Sequence, residues 1–260
     1  MPPDRTLYLV SQSHEPFYRD ELGDVQPWQV CAQPRNRGTM TAVAYSLLRL
    51  RSMGIWTGVL GLFPCDHYCR DSATFTNAVA SAYGEARRSP DTVFLLGARA
   101  TRPETQYGWI VPGERLSSRP NPAGGEAWQF RSVRSFVEKP SEALARDLFE
   151  QAHLWNTLVT IGTIGALESL IATARPDLWE QMGRLGAVGM SQPDDRLVSE
   201  PVYAAVDHAD LSRDALAAFP ERLRVLVLPE VGWTALGHPD RVADVLADRR
   251  QVIQNSQVAG

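Results

Sequence analysis

The first 100 residues alternate short apolar runs with amphipathic stretches, which predicts strands that alternate with helices. Apolar runs of strand length lie at residues 7–10, 28–32, 58–63 and 92–97. Stretches with helical spacing lie at residues 14–22, 39–53 and 72–87, with Thr39 or Thr41 and Ser72 as the predicted N-caps. Because the connections are short, the pattern favours a parallel sheet with right-handed crossovers. We therefore predict an α/β fold.

After residue 100 the pattern changes to longer β segments. Residues 107–111 and 128–137 predict a β pair, and the Gly- and Pro-rich link at 117–125 predicts a mobile loop. Beyond it, the pattern predicts helices at 141–153, 166–174 and 239–250, strands at 158–164 and 223–228, and a loop at 183–200. We predict one domain over residues 1–250, whose two parts meet near residue 100, and a frayed tail over 251–260.

The composition is that of an ordinary globular protein and argues against several function classes. Of the 260 residues, 44% are hydrophobic and 22% are charged, and the net charge is −4. That charge, with no basic cluster interleaved with aromatic residues, argues against a nucleic-acid surface. No apolar run reaches the ~18 residues that a membrane span needs. The first residues lack the apolar core of a signal peptide, so we expect a cytoplasmic protein without a membrane partner.

Cysteine usage indicates a reducing compartment rather than disulfides or a zinc centre. The chain has three cysteines, Cys31, Cys65 and Cys69, and a small, odd number suits a reducing environment. Cys65 and Cys69 flank Asp66 and His67, but a structural zinc site needs about four ligands, usually in two pairs. Small buried thiols are the better interpretation.

Two loops fall on the ligand side of the predicted sheet. Ligands of such sheets bind beyond the carboxyl ends of the strands, and both the turn at 33–39 and the corner at Asp66 and His67 follow a predicted strand. A carboxylate there suits Mg²⁺, which is held by one or two carboxylates and by phosphate oxygens. Asp66 is therefore either a metal ligand or a structural acid ahead of a helix. Trp155 and Asn156 either present an amide to a sugar or are a core Trp beside a turn Asn.

Lys139 is the only lysine in the chain, and all the other permanent cations are arginines. It follows an apolar run typical of a strand, lies next to Glu138 and precedes a proline that ends the strand. A compact ammonium binds a phosphate as a point charge, which a planar guanidinium does differently. The neighbouring glutamate can accept hydrogen bonds from sugar hydroxyls. The alternative is a solvated Glu–Lys pair at a strand end.

Three widespread signatures are absent from the chain. It contains no G-x-G-x-x-G, no G-x-x-x-x-G-K-[ST] and no G-x-S-x-G. Neither the dinucleotide-binding fingerprint nor the P-loop applies, and neither does the nucleophile elbow of hydrolases.

Five segments, in order along the chain, resemble motifs of the sugar-phosphate nucleotidyltransferases, most closely the mannose-1-phosphate guanylyltransferases. Residues 136–140 match F-V-E-K-P, residues 63–67 are similar to L-P-x-D-H, and residues 101–110 are similar to T-R-P-E-T-G-Y-G-Y-I. Residues 33–39 resemble P-x-x-R-[NG]-T-A-P, and residues 155–156 match W-N. The resemblance implies a Rossmann-like nucleotidyltransferase fold, with a mixed, mostly parallel sheet flanked by helices.

The resemblance also implies a set of site residues and a reaction. Residues 1–100 would form the nucleotide side, where the implied binding residues are Gln33, Arg37, Gly38 and Thr39. Residues 101–250 would form the sugar-phosphate side, where they are Gly108, Glu138, Lys139 and Asn156. Asp66 would hold Mg²⁺ and would be catalytic together with Lys139. A sugar 1-phosphate oxygen would attack the α-phosphorus of GTP and release pyrophosphate.

Two departures from the family pattern lower the activity that we expect. The family begins with a strand and a Gly-rich loop, G-G-x-G-[ST]-R-L, and this sequence starts after it. The family's G-W-[SC]-D-[VL]-G supplies a second metal carboxylate, where this chain has Ala235. We therefore expect an N-terminally truncated fold with little or no activity. The alternatives are a non-catalytic sugar-phosphate or sugar-nucleotide binding module and a start codon placed too late. The expected protein partners are a second copy of the chain or an active paralogue.

Overall fold

The computed structural model describes residues 3–122, 124, 126–187 and 203–258. Its strands are β1 (Tyr8–Ser11), β2 (Val30–Gln33), β3 (Val59–Leu62), β4 (His67–Cys69), β5 (Val93–Arg99), β6 (Gly108–Arg119), β7 (Trp128–Glu138), β8 (Leu154–Thr163), β9 (Leu223–Val227) and β10 (Trp233–Ala235). Its α-helices are α1 (Glu15–Tyr18), α2 (Thr39–Ser52), α3 (Ser72–Arg88), α4 (Glu142–Glu150), α5 (Ile164–Ala174), α6 (Pro176–Ala187) and α7 (Pro239–Val258). Short 3₁₀ helices lie at Pro3–Arg5, Gln12–His14, Pro27–Gln29 and Pro220–Arg222, and a π-helical turn lies at Leu211–Leu216.

The central sheet has six strands in the order β3-β8-β5-β9-β7-β6. β5 and β9 pair in parallel, and the other neighbours in that order pair antiparallel. Strands β3, β5, β6 and β9 therefore run in one direction, and β7 and β8 run in the other. The start of β6 also pairs with β8, Trp109 opposite Trp155, so the sheet curls back towards β8. The expected α/β fold, with a mixed sheet flanked by helices, is confirmed, although β5 and β9 are the one parallel pair among the neighbours in that order.

The strands of the first 100 residues do not form the single parallel sheet that their alternation predicts. β1 and β2 pair in parallel, but in a separate two-stranded sheet. β3 and β5 run in the same direction, but β8 lies between them and is antiparallel to both. An alternating pattern predicts where strands occur along the chain, whereas the position of β8 depends on long-range pairing.

Apolar clusters lie on both faces of the sheet, and β5 shows how. Val93 and Leu95 belong to one cluster, with residues of α2, α5 and α6, whereas Phe94 and Leu96 belong to a second, with residues of α3. Successive side chains of a strand point to opposite faces, so a strand covered on both sides has a continuous apolar run. α2 is buried along its length from residue 40 to residue 50.

Several helix boundaries differ from the predictions. α1 ends at Tyr18 rather than near residue 22, and Phe17 is 81% exposed, so no buried face stabilises a longer helix. α4 ends at Glu150, before residue 153. α7 continues to Val258, where we expected a frayed tail, because neither Pro nor Gly interrupts it. No helix in the described ranges is both long enough and apolar enough to cross a membrane.

Caps and loops also differ from the predictions. Asp71 rather than Ser72 caps α3, since its side chain accepts a hydrogen bond from the Thr74 amide, 2.9 Å away. α2 begins after Gly38, and neither predicted threonine is its N-cap. The pattern predicts a loop from residue 183, but α6 continues to Ala187, and the rest of the predicted loop, residues 188–200, lies outside the described ranges.

Two strand boundaries differ because of long-range pairing. β8 begins at Leu154 rather than residue 158, because its first residues pair with Gly97, Ala98 and Arg99 of β5. β6 extends to Arg119, paired with Trp128, which shortens the predicted loop.

Candidate functional site

Three strands bring Glu138, Gly108 and Asn156 into one row across the sheet. Gly108, the first residue of β6, is paired with Glu138, the last residue of β7. On its other side β6 pairs Trp109 with Trp155 of β8, and the next step of that register places Asn156 beside Gly108. Paired residues on neighbouring strands project from the same face. The structure therefore brings together three of the four residues implied for the sugar phosphate.

The absence of a side chain at Gly108 lets Glu138 lie over the strand. A Cβ atom at this position would lie 2.8 Å from the Glu138 Oε2 atom and 2.9 Å from the Phe136 Cζ atom. Contacts this short would displace the glutamate or the aromatic ring. Gly108 is therefore required for the present arrangement of the row.

Two buried polar atoms of the row have no partner among the described residues: Oε2 of Glu138 and Nδ2 of Asn156. Asn156 is 2% exposed, and its Oδ1 accepts a hydrogen bond from the Leu158 amide at 3.1 Å. Leaving a buried polar group unpaired costs about 1–3 kcal/mol. A ligand hydroxyl can donate to the carboxylate and accept from the amide, so the pair matches a polyhydroxylated ligand.

The backbone beside these groups is in the left-handed region at two non-glycine residues. Leu158, which donates to Asn156, has φ +60°, and Lys139, which follows Glu138, has φ +45°. Such conformations cost about 1–3 kcal/mol each and cluster at ligand sites. Pro140 after Lys139 is buried, whereas the lysine itself is exposed.

Burial raises the pKa of Glu138, and the negative charge of Asp210 raises it further. Lys139 and Arg213 oppose that shift in the pKa. The carboxyl therefore has two cations and one other acid around it, and it ionises at a higher pH than an ordinary glutamate.

The Asp66 corner and the segment around Ala235 lie side by side. β4 pairs with β10 so that His67 is opposite Ala235, and the Leu236 amide donates to the Asp66 carbonyl oxygen at 2.6 Å. A Cβ atom at Gly237 would lie 3.2 Å from Oδ2 of Asp66. Position 235, where the family has an Asp, is thus next to the predicted metal ligand and supplies no ligand itself.

The contacts of His67 indicate a structural role. Its Nδ1 accepts a hydrogen bond from the Trp233 indole at 3.4 Å, and the two rings meet edge to face at 5.1 Å. Burial lowers the pKa of His67 more than the nearby Asp66 raises it. Trp233 also packs on Tyr107 and Trp155, so this aromatic cluster connects the Asp66 corner to the neighbour of Asn156.

The donor set at Asp66 can contribute one ligand to Mg²⁺. Within the described ranges, no three His, Cys, Asp or Glu side chains are grouped so that they could hold a metal ion. The Asp66 side chain is 49% exposed, and its Oδ1 lies 4.0 Å from the His67 Nε2. Because Mg²⁺ keeps waters and binds substrate phosphates through only one or two protein carboxylates, one exposed carboxylate fits such a shared site and not an all-protein one.

The side chains of the turn at residues 33–39 are engaged by a later segment of the chain. Gln33 Oε1 accepts from the Tyr203 hydroxyl at 2.5 Å, and Arg37 donates to the Ala204 carbonyl at 2.6 Å. The Thr39 hydroxyl accepts from the Leu211 amide at 2.9 Å. These groups hold the later segment, and their direct contact with a nucleotide stays a prediction.

Gly38 fits this contact because it has φ +88° and no side chain. A Cβ atom there would lie 2.3 Å from the Ala209 carbonyl oxygen. That oxygen accepts a hydrogen bond from the Met40 amide at 3.0 Å, and the Ala209 amide donates to Arg37 O at 3.0 Å. The turn and the segment are therefore joined along their backbones.

Asp210 and Arg213 lie at the site but belong to no segment assigned by the sequence analysis. Asp210 Oδ2 accepts from the Thr39 hydroxyl at 3.4 Å and also acts electrostatically on Glu138. It thus connects the implied nucleotide side with the implied sugar side. Aspartates at positions 210 and 214 are a helix-start signal, although nothing local indicates that this turn lies beside Glu138.

Two cavities lie away from this arrangement. One, of about 240 Å³, is lined by residues that include Asp71, Arg99 and Trp128. The other, of about 360 Å³, is lined by residues that include Trp56 and Thr163. Neither is lined by an implied site residue, so the candidate site depends on its unpaired buried groups rather than on an enclosed cavity.

Comparison with known sequences finds one family and several relatives. Residues 3–240 match the model of a family described as nucleotidyl transferase. The alginate biosynthesis protein AlgA of Pseudomonas aeruginosa is 30% identical over 245 residues, 93% of this chain and 48% of that protein. A mannose-1-phosphate guanylyltransferase of Escherichia coli is 25% identical over 215 residues, 80% of this chain and 43% of that protein. The chain spans about half the length of these curated relatives.

Comparison with solved structures finds the same architecture. A structure described as mannose-1-phosphate geranyltransferase from Thermus thermophilus superposes with a TM-score of 0.72 at 28% sequence identity. The superposition covers 90% of this chain and 62% of that one.

Proposed function

Because the chain belongs to the nucleotidyl transferase family, we propose that it binds a sugar 1-phosphate and GTP in the manner of mannose-1-phosphate guanylyltransferases. In the proposed reaction an oxygen of the sugar 1-phosphate attacks the α-phosphorus of GTP. The bond from that phosphorus to the bridging oxygen of pyrophosphate breaks, and pyrophosphate leaves. The products are a GDP-sugar and pyrophosphate.

The observation that carries the proposal is the pair of unpaired buried atoms on either side of Gly108. Oε2 of Glu138 needs a donor and Nδ2 of Asn156 needs an acceptor. Neighbouring hydroxyls of a sugar ring supply both. A site that hydrogen-bonds a hydroxyl strongly rejects analogues without it, because its own polar groups are then left unpaired.

Charge and position supply the rest of the proposed chemistry. Lys139, next to Glu138, would meet the sugar phosphate as a point charge. Asp66 would contribute a carboxylate to Mg²⁺, which would neutralise charge on the nucleotide phosphates. With the reactants held in line, positioning and charge neutralisation account for most of the catalysis in phosphoryl transfer.

We expect the transfer to be weak, because Ala235 supplies no second carboxylate beside Asp66. Removing one group that stabilises transition-state charge costs about 3–4 kcal/mol, or roughly 10²–10³ in rate. A second candidate function follows from the difference between the sugar side and the metal corner. The sugar side offers free donors and acceptors, whereas the metal corner offers one carboxylate, and this favours a protein that binds sugar phosphates or sugar nucleotides without turnover.

Restoring the carboxylate tests the proposed reaction. In a GDP-mannose synthesis assay with mannose 1-phosphate, GTP and Mg²⁺, we expect Ala235→Asp to raise the rate by about 10²–10³. Ala235→Asn is the control, because it has the same shape without the charge. If Ala235→Asp is inactive although it binds both substrates, the non-catalytic function is favoured. If neither substrate binds to the wild-type chain, both proposals fail.

A further inference from the structure

We propose that Tyr107 is a positioning residue that joins the row around Gly108 to the metal corner, which is formed by Asp66 and residues 233–237. Its hydroxyl fixes strand β10, and a ligand in the row thereby slows the local opening of that strand. The ligand part of this proposal rests on the proposed function, whereas the positioning part concerns the free chain. The family resemblance assigns no role to Tyr107, although the residue lies in one of the five matching segments.

The hydroxyl of Tyr107 bonds to the edge of β10 that faces away from β4. On the β4 side, the Leu236 amide donates to the Asp66 carbonyl oxygen at 2.6 Å. Successive amides of a strand point to opposite edges, so the Ala235 amide points away from β4. It donates to the Tyr107 hydroxyl at 3.2 Å, and that hydroxyl also lies 3.2 Å from Oγ1 of Thr234. One side chain therefore takes the place of a neighbouring strand at the metal corner.

The ring of Tyr107 is packed against a chain neighbour of the row. Tyr107 directly precedes Gly108, and Trp155 directly precedes Asn156. The two rings meet edge to face, with their centroids 5.2 Å apart, and both residues are buried. Close-packed side chains transmit small displacements. An adjustment of Gly108 or Asn156 to a ligand is therefore passed to the Tyr107 hydroxyl and from there to β10.

An ion pair with the start of α7 holds the Tyr107 ring. Cζ of Arg241, in the first turn of α7, lies 4.4 Å from the centroid of the ring, a distance at which a guanidinium stabilises an aromatic face. The same guanidinium pairs with Glu104 at 3.2 Å, and the two side chains are only 13% and 11% exposed. The Glu104 carboxylate also accepts from Arg102 at 3.1 Å and from the Gln106 amide at 2.9 Å. The cation over the ring is thus held in place by an anchored carboxylate.

The backbone of Glu104 is fixed from the side of the row. Its carbonyl oxygen accepts from the Trp109 indole at 2.8 Å. Trp109 is fully buried, follows Gly108 in β6 and is paired with Trp155 of β8. The segment 104–109 therefore contacts α7 through a carboxylate, β6 through a carbonyl and β10 through the tyrosine hydroxyl. This geometry fits a rigid connection between the row and the metal corner.

Hydrogen exchange of the full chain, with and without mannose 1-phosphate, tests the proposal. Tyr107→Phe removes the hydroxyl and retains the packed ring. In the free chain we expect residues 233–237 to exchange about five- to tenfold faster in this variant, as the loss of one hydrogen bond would cause. In the wild-type chain mannose 1-phosphate should slow their exchange, whereas in Tyr107→Phe it should slow only the exchange of the row. Tyr18→Phe, on α1, is the control and should behave as the wild-type chain does.

Substitution of Arg241 separates positioning from loss of packing. Arg241→Lys retains a cation that can lie over the ring and pair with Glu104, so we expect exchange at residues 233–237 close to that of the wild-type chain. Arg241→Gln has no charge and should exchange faster there, as Tyr107→Phe does. Equal exchange in Arg241→Lys and Arg241→Gln would contradict the role of the cation.

The remaining outcomes distinguish this proposal from the proposed function. If free Tyr107→Phe exchanges at residues 233–237 as the wild-type chain does, the positioning role is overturned, even where mannose 1-phosphate binds tightly. If the ligand slows these residues equally in both chains, the connection through the hydroxyl is overturned. If mannose 1-phosphate does not bind to the wild-type chain, the proposed function fails, whereas faster exchange in free Tyr107→Phe still supports the positioning role.

Discussion

At the scale of single residues, the environment of Glu138 disfavours its ionisation, and its buried Oε2 atom has no hydrogen-bond partner among the described residues. Burial and Asp210 raise its pKa above the ordinary value of 4.5. The carboxylate must be ionised to accept hydrogen bonds from sugar hydroxyls at both oxygens. A carboxylate that is costly to ionise in the folded chain, and whose unpaired oxygen gains a hydrogen-bond partner only from a ligand, is typical of a binding residue.

The pH dependence of binding follows from the direction of that shift. As pH falls, Glu138 should take up its proton at a higher pH than an ordinary glutamate does, so the affinity for mannose 1-phosphate should fall at a pH above 4.5. Calorimetric titration between pH 5 and 8 measures this, as an expected tenfold loss per pH unit at most for one proton. In Glu138→Gln the affinity should be low and should lose this pH dependence.

The pH dependence of folding stability should be opposite to that of the affinity for mannose 1-phosphate. A carboxyl whose folded pKa lies above its unfolded pKa binds more protons in the folded state, so stability falls as pH rises through the interval between the two values. Glu138→Gln should remove that fall and raise the melting temperature at neutral pH, because the uncharged amide has no ionisation cost in the folded chain. Glu114→Gln, an exposed carboxylate on β6, is the matched control. A lower melting temperature for Glu138→Gln would contradict the account.

Single residues also show what local sequence can predict. Glu138 and Asn156 follow from short motifs, and the structure places them together with Gly108 because strand register brings the motif residues into one row. Asp210 and Arg213 do not follow from the sequence, because their position beside Glu138 depends on contacts with Thr39 far away in the chain.

At the scale of elements, the turn before α2 and the residues from 203 to 216 form one unit. Gly38 is the tightest point of the contact, since a Cβ atom there would lie 2.3 Å from the Ala209 carbonyl oxygen. Gly54, at the other end of α2, also has a positive φ, but a Cβ atom there would have no neighbour within 4 Å. A side chain at position 54 would therefore introduce backbone strain alone, whereas a side chain at position 38 would introduce the same strain together with a steric clash.

We expect Gly54→Ala to cost about 1–2 kcal/mol of stability, which is the cost of a left-handed conformation with a side chain. Gly38→Ala should cost more, because the same strain is joined by a clash with backbone. Urea denaturation measures both changes, and hydrogen exchange should show faster opening of residues 203–216 in Gly38→Ala only. Equal losses of stability in the two variants would refute the steric contact.

The sequence pattern predicts where the strands lie along the chain better than it predicts which strands pair with each other. The apolar runs of β3, β5 and β9 are near the predicted positions, and the long β6–β7 pair is present. The β4–β10 pair was not predicted, because each strand has three residues and is stabilised by the partner that lies far away in sequence. That pairing nevertheless determines the candidate metal corner, since it places Ala235 next to Asp66.

At the scale of the whole molecule, the candidate site is formed by segments that lie far apart along the chain. Asp66 lies near β10, the turn at 33–39 lies on residues 203–211, and Glu138 lies near Asp210. The segment from 203 to 216 contacts both implied sides. The division at residue 100 therefore describes the order of motifs along the sequence, whereas the folded site depends on contacts across it.

The most direct test of the account is calorimetric titration of the full chain with mannose 1-phosphate, because the central claim is that the row of Glu138, Gly108 and Asn156 binds the sugar. We predict binding to the wild-type chain, and at least tenfold weaker binding to Gly108→Ala, where a Cβ atom would lie 2.8 Å from Oε2 of Glu138. Gly183→Ala in α6, where a Cβ atom meets nothing within 4 Å, should bind as the wild-type chain does. No binding to the wild-type chain, or equal binding to all three, would contradict the account.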